Sequence, residues 1–161
     1  MRHSLNLKLV ASIILLAMTC GPTAPLRTVA QGPPTNVDDT FTVDGICAFP
    51  VLVELKGKSK TIDLPGGRAI FTSPRLTATL TNLDHPANHE TFGITGAFHQ
   101  TVLQNGDLES VVTGRNLLIG FDPDGFVISI GRFSFVLDAD GNIVEPLSGR
   151  GQLIDICAVL E

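Results

Sequence analysis

The sequence predicts an all-β domain. From Ile46 onward, β-branched and Phe-rich runs of 6 to 14 residues are punctuated by Asn-Gly, Asp-Gly and Pro-Gly turns. No stretch sustains the 3.6-residue period of an amphipathic helix, and 161 residues are one domain's worth of chain.

Residues 1–30 read as an export segment. A basic start (Arg2, His3, Lys8) precedes the apolar run Leu9 to Met18. Such a run of about ten residues spans about half of a ~30 Å hydrocarbon core, the length of a secretory h-region and too short for an anchor. Two processing routes are open. Cys20 follows the run and precedes Gly21, as in a lipoprotein signal that ends before the lipidated cysteine; ordinary cleavage after Thr28-Val29-Ala30 removes Cys20. Either route predicts an extracytoplasmic protein, secreted or tethered to the outer face of the membrane, with no transmembrane span after processing.

All 16 acidic residues lie at or beyond Asp38, whereas Arg2, Lys8 and Arg27 of the 11 basic ones precede it. A form beginning near Gln31 therefore keeps 8 basic against 16 acidic groups, a net charge of −8. That balance argues against unspecific binding to nucleic acid or to an anionic membrane surface, because both depend on Lys and Arg neutralising phosphates.

Residues 31–45, rich in Pro, Gly, Thr and Asp, read as a flexible exposed spacer ahead of the β-domain at 46–161. Cys47, Phe49, Val51, Val53 and Leu55 alternate onto one face of a first strand, and Leu153, Asp155, Cys157 and Val159 onto one face of a last. An exported chain left with Cys47 and Cys157 is expected to pair them, which ties the first strand to the last.

Between the ends, hairpins can be registered. A two-residue turn at Asn105-Gly106 pairs Leu103 with Leu108, Thr101 with Ser110 and His99 with Val112, and turns His99, Thr101 and Ser110 inward. A loop at Asp122-Pro-Asp-Gly125 places Leu117, Ile119, Phe121, Phe126, Ile128 and Ile130 on one apolar face. The inward parity then inverts at Gly114-Arg115 and again at Gly131-Arg132, which predicts a β-bulge at each pair, since one extra residue flips every later side chain. Long glycine-kinked strands in sequential hairpins predict a meander antiparallel β-barrel of about eight strands. The alternative is a two-sheet β-sandwich with the Gly-Arg pairs as corners.

Candidate chemistry centres on His99, Thr101 and Ser110, an imidazole and two hydroxyls able to orient a small ligand inside a barrel. A catalytic variant uses His99 as general base with an interior carboxylate such as Asp155. His85, His89 and Glu90 are metal-ligand types, but Pro86 makes the segment a loop, so no metal site is expected. The Asp-x-Asp-Gly stretches at 122–125 and 138–141 have calcium-like spacing without the closing Glu of an EF-hand and read as hairpin turns. Lys56, Lys58 and Lys60 form a basic cluster on an expected exposed hairpin, where lysines deter edge pairing. No nucleophile elbow, Ser-x-x-Lys or phosphate-cradling loop occurs, and no cofactor is expected. With neither Trp nor Tyr, the chain lacks the usual platforms for sugars.

The segments Cys47-Ala-Phe-Pro-Val51, Leu64-Pro-Gly-Gly-Arg-Ala-Ile-Phe-Thr-Ser-Pro74, Phe98-His-Gln-Thr101, Val112-Thr-Gly-Arg-Asn116 and Leu147-Ser-Gly-Arg-Gly-Gln-Leu-Ile-Asp-Ile-Cys157 together resemble a family of small secreted bacterial proteins of unknown function, mostly Gram-positive. The resemblance covers about residues 46–160 and implies export and a single domain, with no activity attached. In outline the expected barrel is similar to lipocalin-type barrels, but the Gly-x-Trp motif is absent and no lipocalin residue carries over. The leading functional expectation is a non-enzymatic module holding a small apolar ligand inside. The alternatives are a His99 isomerase or hydrolase, and a structural or partner-binding envelope module.

Overall fold

The computed structural model describes residues 32–121 and 125–161. The expected export segment, Cys20 and the turn residues 122–124 lie outside the described residues. The class is all-β. Among the described residues, nine antiparallel strands, β1 (Thr35–Val43), β2 (Val51–Leu64), β3 (Arg68–Thr72), β4 (Thr77–Asn82), β5 (His89–Gly93), β6 (Ala97–Val102), β7 (Leu108–Phe121), β8 (Gly125–Leu137) and β9 (Ile143–Asp155), precede one short helix, α1 (Ile156–Leu160). They form one sheet in the order β5-β4-β2-β3-β6-β7-β8-β9, with β1 on the other edge of β2.

β1 corrects the reading of the expected spacer over Thr35–Val43, which is strand. Val37, Phe41 and Val43 alternate onto the sheet face that carries Val51 and Val53, with Phe41 opposite Val53 and Val43 opposite Val51. The lysine cluster is likewise not on a hairpin but midway along β2, with Lys56 paired to Thr77 on one side and Asp38 on the other.

The sheet is not closed. Its path ends at β5 and β9, and among the described residues no ladder joins them. The seam is crossed by α1 instead. Asp155 ends β9 and caps α1, its Oδ1 accepting from the N–H groups of Cys157 and Ala158 at 2.9 and 3.4 Å. Ile156 and Leu160 then enter the core, and the Leu160 carbonyl accepts from Nδ2 of the buried Asn82 at 3.0 Å. The Cys47–Cys157 disulfide, with Cα atoms 5.3 Å apart, clips α1 to the β1–β2 connection. Cys157 therefore stands on a helix rather than on the face of a last strand.

The expected bulges at the Gly-Arg pairs are also absent. β7 and β8 stay in unbroken register from Leu108↔Leu137 through Gly114↔Gly131 to Ile119↔Phe126. The one irregularity in this ladder is at Gly120, where an extra residue moves Phe121 to the opposite face from Ile119 and pairs it with Gly125.

The apparent inversion of parity has another cause, which is burial on both faces. Leu117, Ile119, Phe126 and Ile128 face one hydrophobic cluster with Val51, Val53, Ala78, Leu80, Ile156 and Leu160. Val112, Leu118, Val127, Phe133 and Phe135 face a second. Phe126, Val127, Ile128 and Ser129 are consecutive and all at most 2% exposed.

The β7–β8 hairpin achieves this by folding back on itself. Phe121 pairs with Gly125, and Phe135 lies ten residues further along β8, about 33 Å away in a straight strand. Their ring centroids are 4.4 Å apart. We assign the bend to the Gly-Arg pairs, where Gly114 and Gly131 stand opposite each other midway along the hairpin at φ +78° and +135°, as corners in unbroken register rather than bulges. Gly131 shows why glycine stands there. Its φ is +135°, and a Cβ would run into the Arg150 carbonyl and lie 2.8 Å from the Gly151 Cα on β9.

The β8–β9 loop is held by Asp138, whose Oδ1 accepts from the N–H groups of Asp140 and Asn142 at 2.9 and 2.8 Å and whose Oδ2 accepts from Asn142 Nδ2 at 2.9 Å. The Asn142 side chain, then the backbone donors, hold this carboxyl below the ordinary aspartate value. A depressed folded-state pKa contributes stability that is present above the unfolded value and lost as pH falls through the folded one. An NMR titration is expected to place the Asp138 midpoint below that of a free aspartate, and Asn142→Ala to move it upward. A midpoint unmoved by Asn142→Ala would refute this assignment of cause.

Candidate functional site

The structure separates the residues expected to form an interior site. The 103–107 turn is not the two-residue Asn-Gly type. Gly106 N–H donates to the Leu103 carbonyl at 3.0 Å and Leu103 N–H to the Asp107 carbonyl at 2.8 Å, a three-residue loop with Gly106 at φ +92°. The register is thereby one residue off the expected pairing: Gln100↔Ser110, His99↔Val111 and Thr101↔Glu109. A slip of one reverses faces.

Ser110 is fully buried and receives Gln100 Nε2 at 3.4 Å, whereas His99 and Thr101 lie on the opposite face and His99 is exposed. The inward orientation expected for His99 and Thr101 is corrected accordingly. Nor does Asp155 reach His99. It stands three strands away, opposite Val127, while the rung through His99 meets β8 at Ser134. Asp155 Oδ1 is already engaged in capping α1. His85, His89 and Glu90 are all exposed, and His89 and Glu90, consecutive in β5, point to opposite faces.

What the fold assembles instead is a cleft at the point where β7 bends away from the rest of the sheet. It holds about 230 Å³ and is lined by Phe41 of β1, Leu55 of β2, Leu76, Ile94, Phe98, and Leu117 and Ile119 of β7, with Ser73 and Asn116 as its polar members. Phe41, 37% exposed, stands at its mouth. Asn116 is 4% exposed and its Nδ2 donates to the Thr113 carbonyl at 3.0 Å. The oxygen and the nitrogen of its carboxamide both lie against the Gly96 backbone. The carboxamide fits because residue 96 is glycine: a Cβ there would collide with it.

Ser73 also borders a second, more open depression of about 340 Å³ lined by Thr72, Pro74, Thr95, Gly96, Ala97, Thr113 and Gly114. The two depressions share Ser73, and neither is lined by a charged side chain.

These lining residues are scattered along the sequence, and the bend that collects them is what the sequence reading lacked. Phe41 was hidden by the polar composition of 31–45, although Val37, Phe41 and Val43 show the period-two signal. Leu117 and Ile119 are legible as apolar face positions, but not as cleft residues.

Among the described residues no group of three or more His, Cys, Asp and Glu is arranged to hold a metal, and no helix is long and apolar enough to cross a membrane. The chain matches no protein-family model, no curated protein and no solved structure. The resemblance of residues 46–160 to small secreted proteins consequently carries no part of the functional reading.

Proposed function

We propose that this domain is an extracytoplasmic binding module that takes a small, neutral, mostly apolar ligand into the cleft between Phe41 and Leu55 on one side and Leu117 and Ile119 on the other. The observation that carries the reading is the uncharged, mostly apolar lining, with Ser73 and Asn116 as its polar members. Binding sites of this kind are concave, mostly apolar and carry a few polar groups that fix orientation. At about 230 Å³ the slot lies below the ~300 to 1,000 Å³ of drug-sized pockets, which suits a small molecule or one end of a longer one. A polar group on the ligand meets Ser73 or Asn116, the polar members of the lining. The disulfide supports an oxidising compartment, where such bonds persist.

Titration with Nile red, a neutral apolar dye, tests this. Saturable binding near one dye per chain is expected, weakened at least about tenfold, or ~1.4 kcal/mol, by Phe41→Arg at the mouth. Val102→Arg serves as the control, since Val102 is 52% exposed and lies outside the cleft. Non-saturable binding, or equal weakening by both variants, would leave a packed structural or partner-binding module as the better description.

A further inference from the structure

The three corners of the folded sheet share a dipeptide: Gly114-Arg115, Gly131-Arg132 and Gly149-Arg150. Register brings the arginines together. Arg132 and Arg150 are directly opposite each other on β8 and β9, and Arg132 is also opposite Thr113, so Arg115 is its diagonal neighbour on β7. All three are exposed. Directly opposed residues of antiparallel strands have Cβ atoms about 4.5 to 5.5 Å apart, and diagonal neighbours are about 7 to 8 Å apart.

Like charges placed so are destabilising. Carboxylates ordinarily relieve such a cluster, yet among the described residues none of the three guanidiniums forms an ion pair or hydrogen bond. This occurs in a domain where acidic groups outnumber basic ones 16 to 8 from Gln31 onward. A charge that guards the edge strand β9 against pairing would need Arg150 alone. Two opposed guanidinium forks and a third beside them instead match the several acceptor oxygens of one tetrahedral oxyanion, which arginine binds through paired N–H donors.

The geometry points to a phosphate-binding site formed by Arg115, Arg132 and Arg150 at the corner of the sheet. Its ligand is a dianionic phosphate group, borne by a soluble phosphate compound or by a phosphomonoester lipid headgroup. The site is separate from the apolar cleft and does not depend on it.

The test is titration of the disulfide-bonded domain with inorganic phosphate, followed by NMR of backbone amides and arginine Nε–H groups. A parallel arm measures co-sedimentation with phosphatidylcholine vesicles with and without phosphatidic acid. Saturable shifts centred on residues 114–115, 131–132 and 149–151 are expected. Arg132→Gln with Arg150→Gln is expected to weaken binding at least about tenfold. Arg115→Gln alone weakens it less. Lys56→Gln with Lys58→Gln, which removes as much charge from elsewhere on the sheet, leaves affinity within about twofold, as distant independent sites do.

Binding of free phosphate identifies the soluble source, and binding of phosphatidic acid vesicles alone identifies the headgroup; either supports the site. Absence of saturable binding in both arms overturns it. So does equal weakening by the lysine pair, because attraction would then be general rather than local.

Discussion

Replacing Cys47 and Cys157 together by serine is expected to lower the domain's stability by about 4 to 5 kcal/mol, the largest single loss foreseen for this fold. The reason is the length of chain closed. The two cysteines are 110 residues apart, and in the chain-entropy model a cross-link restrains the unfolded ensemble more as the loop lengthens. The native side matters too. Without a ladder between β5 and β9, the seam is held by the disulfide, by Ile156 and Leu160 in the core, and by the hydrogen bonds of Asn82 and Asn88 to the Leu160 carbonyl. Urea denaturation of the oxidised domain, the reduced domain and the double serine variant is the check, with the last two expected to coincide. A loss below about 1 kcal/mol would mean that the seam is held by packing alone or that the unfolded chain is already compact.

Phe126→Ala is expected to cost about 3 to 5 kcal/mol and Val127→Ala about 2 kcal/mol, although the two are consecutive in one strand. In a sheet with one solvated face, consecutive residues alternate between core and water, so one of the two substitutions would be nearly neutral. Here Phe126 is fully buried against the cluster of Val51, Val53, Leu80 and α1, while Val127 at 2% exposure packs with Leu118, Phe133 and Phe135. Both deletions open cavities in packed surroundings that relax only partly. Chemical denaturation of each variant at unchanged m-value measures the effect. A neutral Val127→Ala would contradict the folded-back β7–β8 hairpin.

Much of the fold is legible in the residues. The β-branched runs and their turns specify strands, and Cys47 and Cys157, one near each end of the domain, pair as expected. Leu117, Ile119, Phe126, Ile128 and Ile130 share a face as their spacing requires, whereas Phe121, expected with them, is carried to the opposite face by the extra residue at Gly120. The failures have local causes. Asn105-Gly106 is compatible with both a two-residue and a three-residue hairpin loop, and the one-residue difference reverses His99 and Thr101. Alternation that switches parity at Gly131-Arg132 reads the same whether the strand bulges or is buried on both faces, because sequence records apolar character and not which layer covers it. A five-residue helix is too short for a helical period, so Asp155 was legible as a strand carboxylate and not as a cap. The cleft was illegible for the same reason as the bend: its walls meet only after β7 turns out of the sheet.

The most direct test of the functional account is native mass spectrometry of the disulfide-bonded protein purified from its own host, compared with the Phe41→Arg variant prepared in the same way. The account predicts that the native protein carries a small, neutral, largely apolar molecule, released on denaturation and reduced or absent in the variant. A native mass equal to that of the bare chain in both proteins, together with no saturable uptake of Nile red, would contradict it.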